Sequence, residues 1–408
     1  MIPLALEELR GLGTLDGDGE LTGLTIDSRS AGPGDLFVAV RGGRAFVAAA
    51  REQGAVTLVP DDEHVALAAI GRLIRSRTAA RIVGISGSTG KTSTKDILAA
   101  LCAPVARTVA TRASENAELG VPLTLGRIEP DTELCLVEMG MRGVGQIAEL
   151  CEIARPDLAV LTAIGPVHLE LVGSVDGVAR SKAELVDALP EGGIAIVPRS
   201  AELEPYLRDD IEIRRVGEVD VLLVEDGAEI AFGGGRIRFP LTSRHQAQNA
   251  LTALSAYDAL GLPFDRLQEA AATVELSRWR GEELPLLGGG VVINDAYNAN
   301  PTSMRAALEH LAGREGRKLA ILGGMAELGD HAERYHREIG ELAHELGIEV
   351  VAVGELARLY GAETWVADAA SATAVARERA RPGDLVLVKA SRALALEGVA
   401  PALANGQS

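Results

Sequence analysis

Aromatic residues are scarce in this chain, 3% of 408 residues, and cysteine is scarcer, with three. None of Cys102, Cys135 and Cys151 belongs to a C-x-x-C pair, and each stands among apolar neighbours. This pattern argues against a disulfide framework or a cysteine metal site and predicts reduced, buried thiols in a cytoplasmic protein. No run of 18 apolar residues occurs, so no membrane span is expected. The opening "MIPLALEELR" carries acidic residues where a secretory signal would carry basic ones and an apolar run. Positive charge is in short supply too. Forty Lys and Arg face 58 Asp and Glu, for a formal net charge of -18. With no long Lys/Arg block, the chain lacks the electrostatic footprint of a nucleic-acid binder.

What the chain does have is aliphatic material. Hydrophobic residues make up 47%, enough for several cores. At roughly 150 residues per domain the length suggests three domains. Residues 1–78 read as a small α/β module. Two short strand patterns flank a Gly/Pro-rich turn in "LTGLTIDSRSAGPGDLFVAV", and helices are expected in "FVAAAREQGA" and "HVALAAIGRLIRS". Residues 79–277 alternate buried-looking strands with helical patterns, as in a parallel sheet of βαβ units. The strands are "RIVGIS", "ELCLVEM", "DLAVLTAI" and "GIAIVP". The strand-rich stretch from "IEIRRV" to "GRIRFPL" reads as an antiparallel patch, and "HQAQNALTALSAYDALG" as a helix capped by Gly261. Residues 278–408 repeat the alternation, with strands "VVIND", "KLAILG", "EVVAVG" and "DLVLVK". Helices are expected near 302–312, 332–346, 371–380 and 393–403, making a second doubly wound sheet. The last residues, "ANGQS", are expected to be loose.

"RIVGIS-GSTGKT-STKDILAALC" supplies a strand end, permissive glycines and a helix N-terminus in the order a phosphate cradle needs. Its spacing is not the common G-x-x-x-x-G-K-[ST], because Ile85 stands where that pattern has glycine. The working unit is the shorter G-S-T-G-K-T, Gly87 to Thr92. Lys91 would lie against the β- and γ-phosphates, and Thr92 would offer its hydroxyl to Mg²⁺. Glu138 ends a buried strand, where ligands gather on parallel sheets. A carboxylate there suits a hard cation. By residue type alone, His168 reads as structural or surface and Lys182 as a solvated helical lysine. Asn249 and His245 read equally well as helix residues, and Asp295 to Pro301 as a turn and cap.

The loop resembles the ATP loop of the Mur ligase family, and further blocks resemble the D-alanyl-D-alanine-adding branch of that family in order. They are "SENAELGVPLTL" (114–125), "LCLVEMGMRGVGQIAEL" (134–150), "PDLAVLTAIGPVHLELVGSVDGVARSKAEL" (156–185) and "NDAYNANPTSMRAAL" (294–308). "ILGGMAELG" and "GDLVLVKASRAL" follow. The resemblance implies three domains: a small N-terminal α/β domain for the UDP-sugar, a central parallel-sheet ATPase domain, and a C-terminal Rossmann-like domain for the incoming dipeptide. It implies an ATP- and Mg²⁺-dependent amide ligase, usually a monomer, with UDP-N-acetylmuramoyl-tripeptide and D-Ala-D-Ala as substrates. ATP contacts are implied for Gly87, Ser88, Thr89, Gly90, Lys91, Thr92 and Ser93, for Asn249 near the adenine, for Arg280 on the phosphates, and for Asp295 near the sugar. Arg278 is a rival to Arg280. Metal contacts are implied for Thr92, Glu138, His168 and a carbamylated Lys182. Catalytic roles are implied for Lys91, Lys182, His168 and Asn298, and substrate contacts for Ser28, Arg29 and Asn300. One departure stands out: "LFVAVRGGRAFVAAA" lacks the family's D-G-H stretch near Gly42–Phe46, and the loop there is shorter.

Overall fold

The computed structural model describes residues 1–113 and 115–404. Ser114 and residues 405–408 lie outside the described residues; of the end expected to be loose only Ala404 is described, and it closes the helix Val399–Ala404. Short β-branched and aliphatic runs make nineteen strands among the described residues, gathered in four sheets.

The first sheet contains β1 (Gly13–Asp16), β2 (Gly23–Thr25), β3 (Asp35–Val38) and β4 (Val56–Pro60), in the order β1-β4-β3-β2. β2, β3 and β4 run parallel and β1 antiparallel to β4. The C-terminal ends of three strands therefore open on one edge. The helix Glu63–Arg77 begins where Asp62 accepts from the backbone N–H groups of His64 and Val65. Its inner face meets the second body of the protein: a Cβ on Gly71 would lie 2.8 Å from Ile153 Cγ2.

The second sheet holds β5 (Arg81–Ser86), β6 (Thr108–Ala110), β7 (Leu134–Glu138), β8 (Leu158–Leu161), β9 (Ile194–Pro198) and β10 (Glu212–Val216). Its order is β10-β9-β8-β5-β7-β6, and every pairing is parallel. β5 sits in the middle, where the chain's crossovers reverse direction. Ligands bind at such switch points, beyond the carboxyl ends of the strands. The expected antiparallel patch is corrected in part. β10 ("EIRRV") extends the parallel sheet instead. It has polar residues because it is an edge strand, so its alternation looked antiparallel. Only β11 (Val221–Val224), β12 (Gly227–Phe232) and β13 (Gly235–Phe239) form the separate antiparallel sheet.

The third α/β body is built on β14 (Glu282–Pro285), β15 (Val291–Asn294), β16 (Lys318–Gly323), β17 (Glu349–Val353), β18 (Thr364–Val366) and β19 (Leu385–Lys389). They lie in the order β14-β15-β19-β16-β17-β18, with only the edge strand β14 antiparallel. The helix expected near 393–403 is broken into two 3-10 turns, Arg392–Leu394 and Leu396–Gly398, before the helix Val399–Ala404. Ala395, at φ +49, makes the break.

One apolar core runs from the first sheet through one face of the second to one face of the third. The other faces of the second and third sheets have their own cores. Cys102, Cys135 and Cys151 are free and buried, as expected, and burial pushes each thiol up to about 12. Among the described residues no helix is long and apolar enough to cross a membrane.

Candidate functional site

The loop after β5 turns through Gly87 and Gly90, at φ +146 and +83, into the helix Lys91–Cys102. Both glycines are required by sterics as well as by φ. A Cβ on Gly87 would lie 2.0 Å from Thr162 Oγ1, and one on Gly90 would lie 2.2 Å from Asn249 Oδ1. Asn249 is thus held against the phosphate loop from the helix Arg244–Ala259, which Ser243 caps. Ser88 is fixed by exchange with Gly165, its Oγ donating to the carbonyl and accepting from the amide at 3.0 Å each. Lys91 folds back to donate to the Gly87 carbonyl at 2.7 Å. Burial pushes the Lys91 ammonium down, Glu138 opposes this, and Arg280 adds to it. A lysine so placed gains when an anion arrives.

Glu138 closes β7 at 1% exposure, and three neighbours hold it. Its amide donates to Thr111 Oγ1 at 2.9 Å, Asn116 Nδ2 donates to Oε1 at 2.7 Å, and the Thr92 hydroxyl donates to Oε2 at 2.8 Å. Thr92 in turn accepts from Arg280 Nη2 at 2.7 Å. A guanidinium is thereby linked through one hydroxyl to a buried carboxylate. Arg280 also lies 4.0 Å over the Tyr297 ring, while its rival Arg278 is exposed.

β8 stops at Leu161, so His168 lies beyond a loop rather than at the strand end, in the turn before the short helix Leu169–Val172. Its Nδ1 pairs with Glu327 Oε2. Burial pushes the imidazole down, Glu327 opposes this, and Lys182 and Lys91 add to the lowering. Lys182 is 1% exposed on the helix Val175–Asp187. Glu184, its neighbour in that helix, accepts instead from the Gly145 and Ala148 amides at 2.7 and 3.1 Å. The Lys182 ammonium has no hydrogen bond or ion pair among the described residues. Burial, with Lys91 nearby, pushes its ammonium well down, against the pull of Glu184. Lowering in this direction favours the neutral amine, which is the nucleophilic form.

The third body supplies the opposite wall. Asp295 pairs with Lys389 Nζ at 2.6 Å, and Lys389 also donates to the Asn298 carbonyl at 3.1 Å. Asn298 Oδ1 accepts from the Ala299 amide, and the side chain is exposed. Asn300 caps the helix Pro301–Ala312 and reaches toward the Ser88 carbonyl at 3.4 Å. The next turn crowds Gly165, where a Cβ would lie 2.5 Å from Thr302 Oγ1.

Ser28 and Arg29 stand apart from this cluster, in the turn after β2. Arg29 forms a two-pronged ion pair with Asp27 at 2.9 and 2.7 Å, which holds the Asp27 carboxyl down at about 2. The neighbouring strand ends of the same edge frame an open cleft of about 350 Å³ lined by Arg41, Arg44, Asp62 and His64. The shortened loop falls here, folded as a 3-10 turn, Gly43–Phe46.

The donors fit Mg²⁺. Thr92 and Glu138 present hard oxygens side by side next to a glycine cradle. Among the described residues no three His, Cys, Asp or Glu side chains gather into a closed cage. Mg²⁺ commonly takes one or two protein carboxylates and fills its shell from water and substrate phosphates. Sequence reasoning gave no role to Asn116, Glu327 or Lys389, although each sits in a block quoted for the resemblance. A polar residue in such a block, next to a named ligand, is the signal that could have found them.

Residues 85–257 match the Mur ligase middle domain, and residues 279–392 match the Mur ligase, glutamate ligase domain. The chain is 33% identical to UDP-N-acetylmuramoyl-tripeptide–D-alanyl-D-alanine ligase of Synechocystis, covering 94% of this chain and 92% of that one. It is 31% identical to the Escherichia coli enzyme of the same name, over 99% of each chain. A crystal structure of MurF from Acinetobacter baumannii superposes with a TM-score of 0.86 at 29% identity, covering 99% of both chains. MurF ligase from Thermotoga maritima, solved in complex with ADP, gives 0.83 at 26% identity, covering 94% of this chain and 97% of that one. Folylpolyglutamate synthase of Mycobacterium tuberculosis, at 18% identity and a TM-score of 0.67 over 85% of this chain and 96% of that one, shares the fold alone. With a phosphate loop in the second of three α/β bodies and the third body closed over it, the chain belongs to the Mur ligase family, among the MurF-type members.

Proposed function

We propose that this chain joins D-alanyl-D-alanine to UDP-N-acetylmuramoyl-tripeptide at the expense of ATP, through an acyl phosphate. The observation that carries the reading is the meeting of two bodies at one loop: Arg280 donates to Thr92, and Asn300 reaches Ser88. A kinase or switch NTPase has no need of this second wall. A ligase needs it to hold an acid and an amine in line and to keep water from the acyl phosphate.

The tripeptide carboxylate attacks the γ-phosphorus, and ADP leaves. The dipeptide amine then attacks the acyl carbon and expels phosphate. Gly87 to Ser93 cradle the ATP phosphates with backbone N–H groups, and Lys91 releases the Gly87 carbonyl to meet the charge on the transferring group. Arg280 neutralises the same phosphates from the junction. Asn249 flanks the loop on the nucleotide side, and Asp295, oriented by Lys389, faces the ribose. Asn298 and Asn300 lie on the dipeptide side, and Ser28 and Arg29 hold the UDP-sugar. Thr92, Glu138, His168 and carbamylated Lys182 would hold magnesium, which when bound offsets the negative charge developing on the phosphoryl oxygens.

Every group in this scheme comes from one chain, which supports action as a monomer. The domains divide at about residues 78 and 277, with 1–78 binding the UDP-sugar, 79–277 binding ATP and 278–408 binding the dipeptide. Three free, buried thiols support a cytoplasmic setting. A second reading, a Mur-type ligase for another acid or amine, draws on the altered loop at Gly43–Phe46. The test is a screen of nucleotide-sugar acids against amines, following phosphate release and product mass together. Phosphate release that needs both named substrates, with a product of their summed mass less water, is expected. Release indifferent to either one overturns the proposal.

A further inference from the structure

Glu327 lies between β16 and the helix Ala332–Glu345, so it belongs to the third body, yet its side chain crosses to the second. There its Oε2 meets His168 Nδ1. The other carboxylate oxygen lies 3.6 Å from Arg142 Nε, and the Glu327 carbonyl accepts from the Glu170 amide at 3.3 Å. The contact is made by two residues in the left-handed region, His168 at φ +53 and Glu327 at +61. Nonglycine residues persist there when their surroundings hold them. The next turn is equally close, since a Cβ on Gly329 would lie 3.0 Å from Glu170 Cα. Backbone, carboxylate and Arg142 thus fix one arrangement of loop against loop.

A carboxylate on Nδ1 sets the ring's orientation and tautomer and leaves Nε2 as the nitrogen open to a metal. His168 follows three residues after Gly165, whose amide and carbonyl are bonded to Ser88 of the phosphate loop. We propose that Glu327 is a positioning residue: carried in when the third body closes on the second, it orients His168 for magnesium and so ties completion of the metal site to domain closure. This rests on the metal role given to His168 under the ligase reading. It adds a residue that touches no substrate, and it explains why a C-terminal loop presses on a central-domain turn. An open enzyme would lack the carboxylate and hold its metal more weakly, so ATP hydrolysis before closure would be suppressed.

The experiment uses the full chain with ADP and Mn²⁺, read by electron paramagnetic resonance for affinity and by electron–nuclear double resonance for imidazole nitrogen coupled to the metal. Glu327→Ala is expected to weaken Mn²⁺ binding about 10- to 100-fold and to diminish the nitrogen coupling, with the melting temperature retained. Glu327→Gln, whose amide oxygen still accepts from Nδ1, recovers most of both, and it also serves if Glu327→Ala folds poorly. The double variant with His168→Ala binds Mn²⁺ no more weakly than His168→Ala alone. Unchanged affinity and coupling in Glu327→Ala, or losses that add to those of His168→Ala, overturn the proposal. If His168→Ala itself leaves Mn²⁺ binding unchanged, the proposal falls with the His168 assignment, while the substrate screen still judges the ligase reading separately.

Discussion

Arg280 and Thr92 are joined by a 2.7 Å hydrogen bond, although Arg280 stands at the start of the third body and Thr92 in the first turn of the helix after the phosphate loop. The guanidinium is also stacked over Tyr297, whose backbone follows β15. One side chain therefore senses both the loop and the wall that closes on it. Replacing Arg280 with Ala is expected to lower kcat/KM for ATP about 100-fold. Arg280→Lys should recover little, because an ammonium cannot both stack and fork. Steady-state rates against ATP concentration decide this; near-normal kinetics in Arg280→Lys would mean that charge alone matters.

Lys91 has its ammonium on the Gly87 carbonyl, poised to move to a phosphate. Lys91→Ala should reduce phosphate release by at least about 1,000-fold, while circular dichroism and melting remain those of the parent. Surviving turnover would show that the loop is not the site.

Gly90 is confined both by φ +83 and by Asn249, so Gly90→Ala introduces strain and a clash. ADP affinity should fall more than about tenfold, read by calorimetric titration. In an Asn249→Ala background, which lacks the clash but keeps the backbone strain, Gly90→Ala should cost less affinity than it does in the parent. An equal cost in both backgrounds would place the whole effect in the backbone.

His245 lies at the junction of the second and third bodies, beside a cavity of about 10 Å³ that it shares with Ser243, Asp295 and His310. Burial pushes its imidazole down to about 4, with His310 and Lys389 adding to the effect and Asp295 opposing it. The unfolded chain, with a histidine near 6.5, takes up a proton at higher pH than the folded one. Stability from this group is therefore full above about pH 6.5 and is lost as pH falls toward 4. The slope should be on the order of 2 kcal/mol over that window after allowance for partial solvent access. Melting curves from pH 4 to 7 should flatten in His245→Gln, and an unaltered slope would assign the loss to other groups.

The strong elements were legible because they are nearly unbroken aliphatic runs, uniformly buried. "RIVGIS", "LCLVE" and "LVLVK" bury nearly every residue. The strands that escaped, β1, β4, β6, β14 and β18, are three to five residues long. Most are half exposed, so no apolar run announces them. β4, although as long as β7 and well buried, has Thr57 and Pro60 among its five residues, which interrupt the apolar run. At the site, Gly87 to Thr92 and Glu138 could be read directly, because the loop and its strand are adjacent in sequence and β7 is recognisable by itself.

The amino-acid sequence by itself determined the loop chemistry, the alternation of strand and helix that builds the parallel sheets, and the set of blocks that carries the family likeness. All of these depend on neighbours a few residues apart. The tertiary structure decided which of Arg278 and Arg280 faces the loop, that the Lys182 ammonium is buried without a partner among the described residues rather than solvated, and that Glu327 holds His168. The pairs Arg280–Thr92 and Glu327–His168 span 188 and 159 residues of chain. Contacts at that separation follow from how the sheets pack and close on one another, and no local pattern of residue types encodes them.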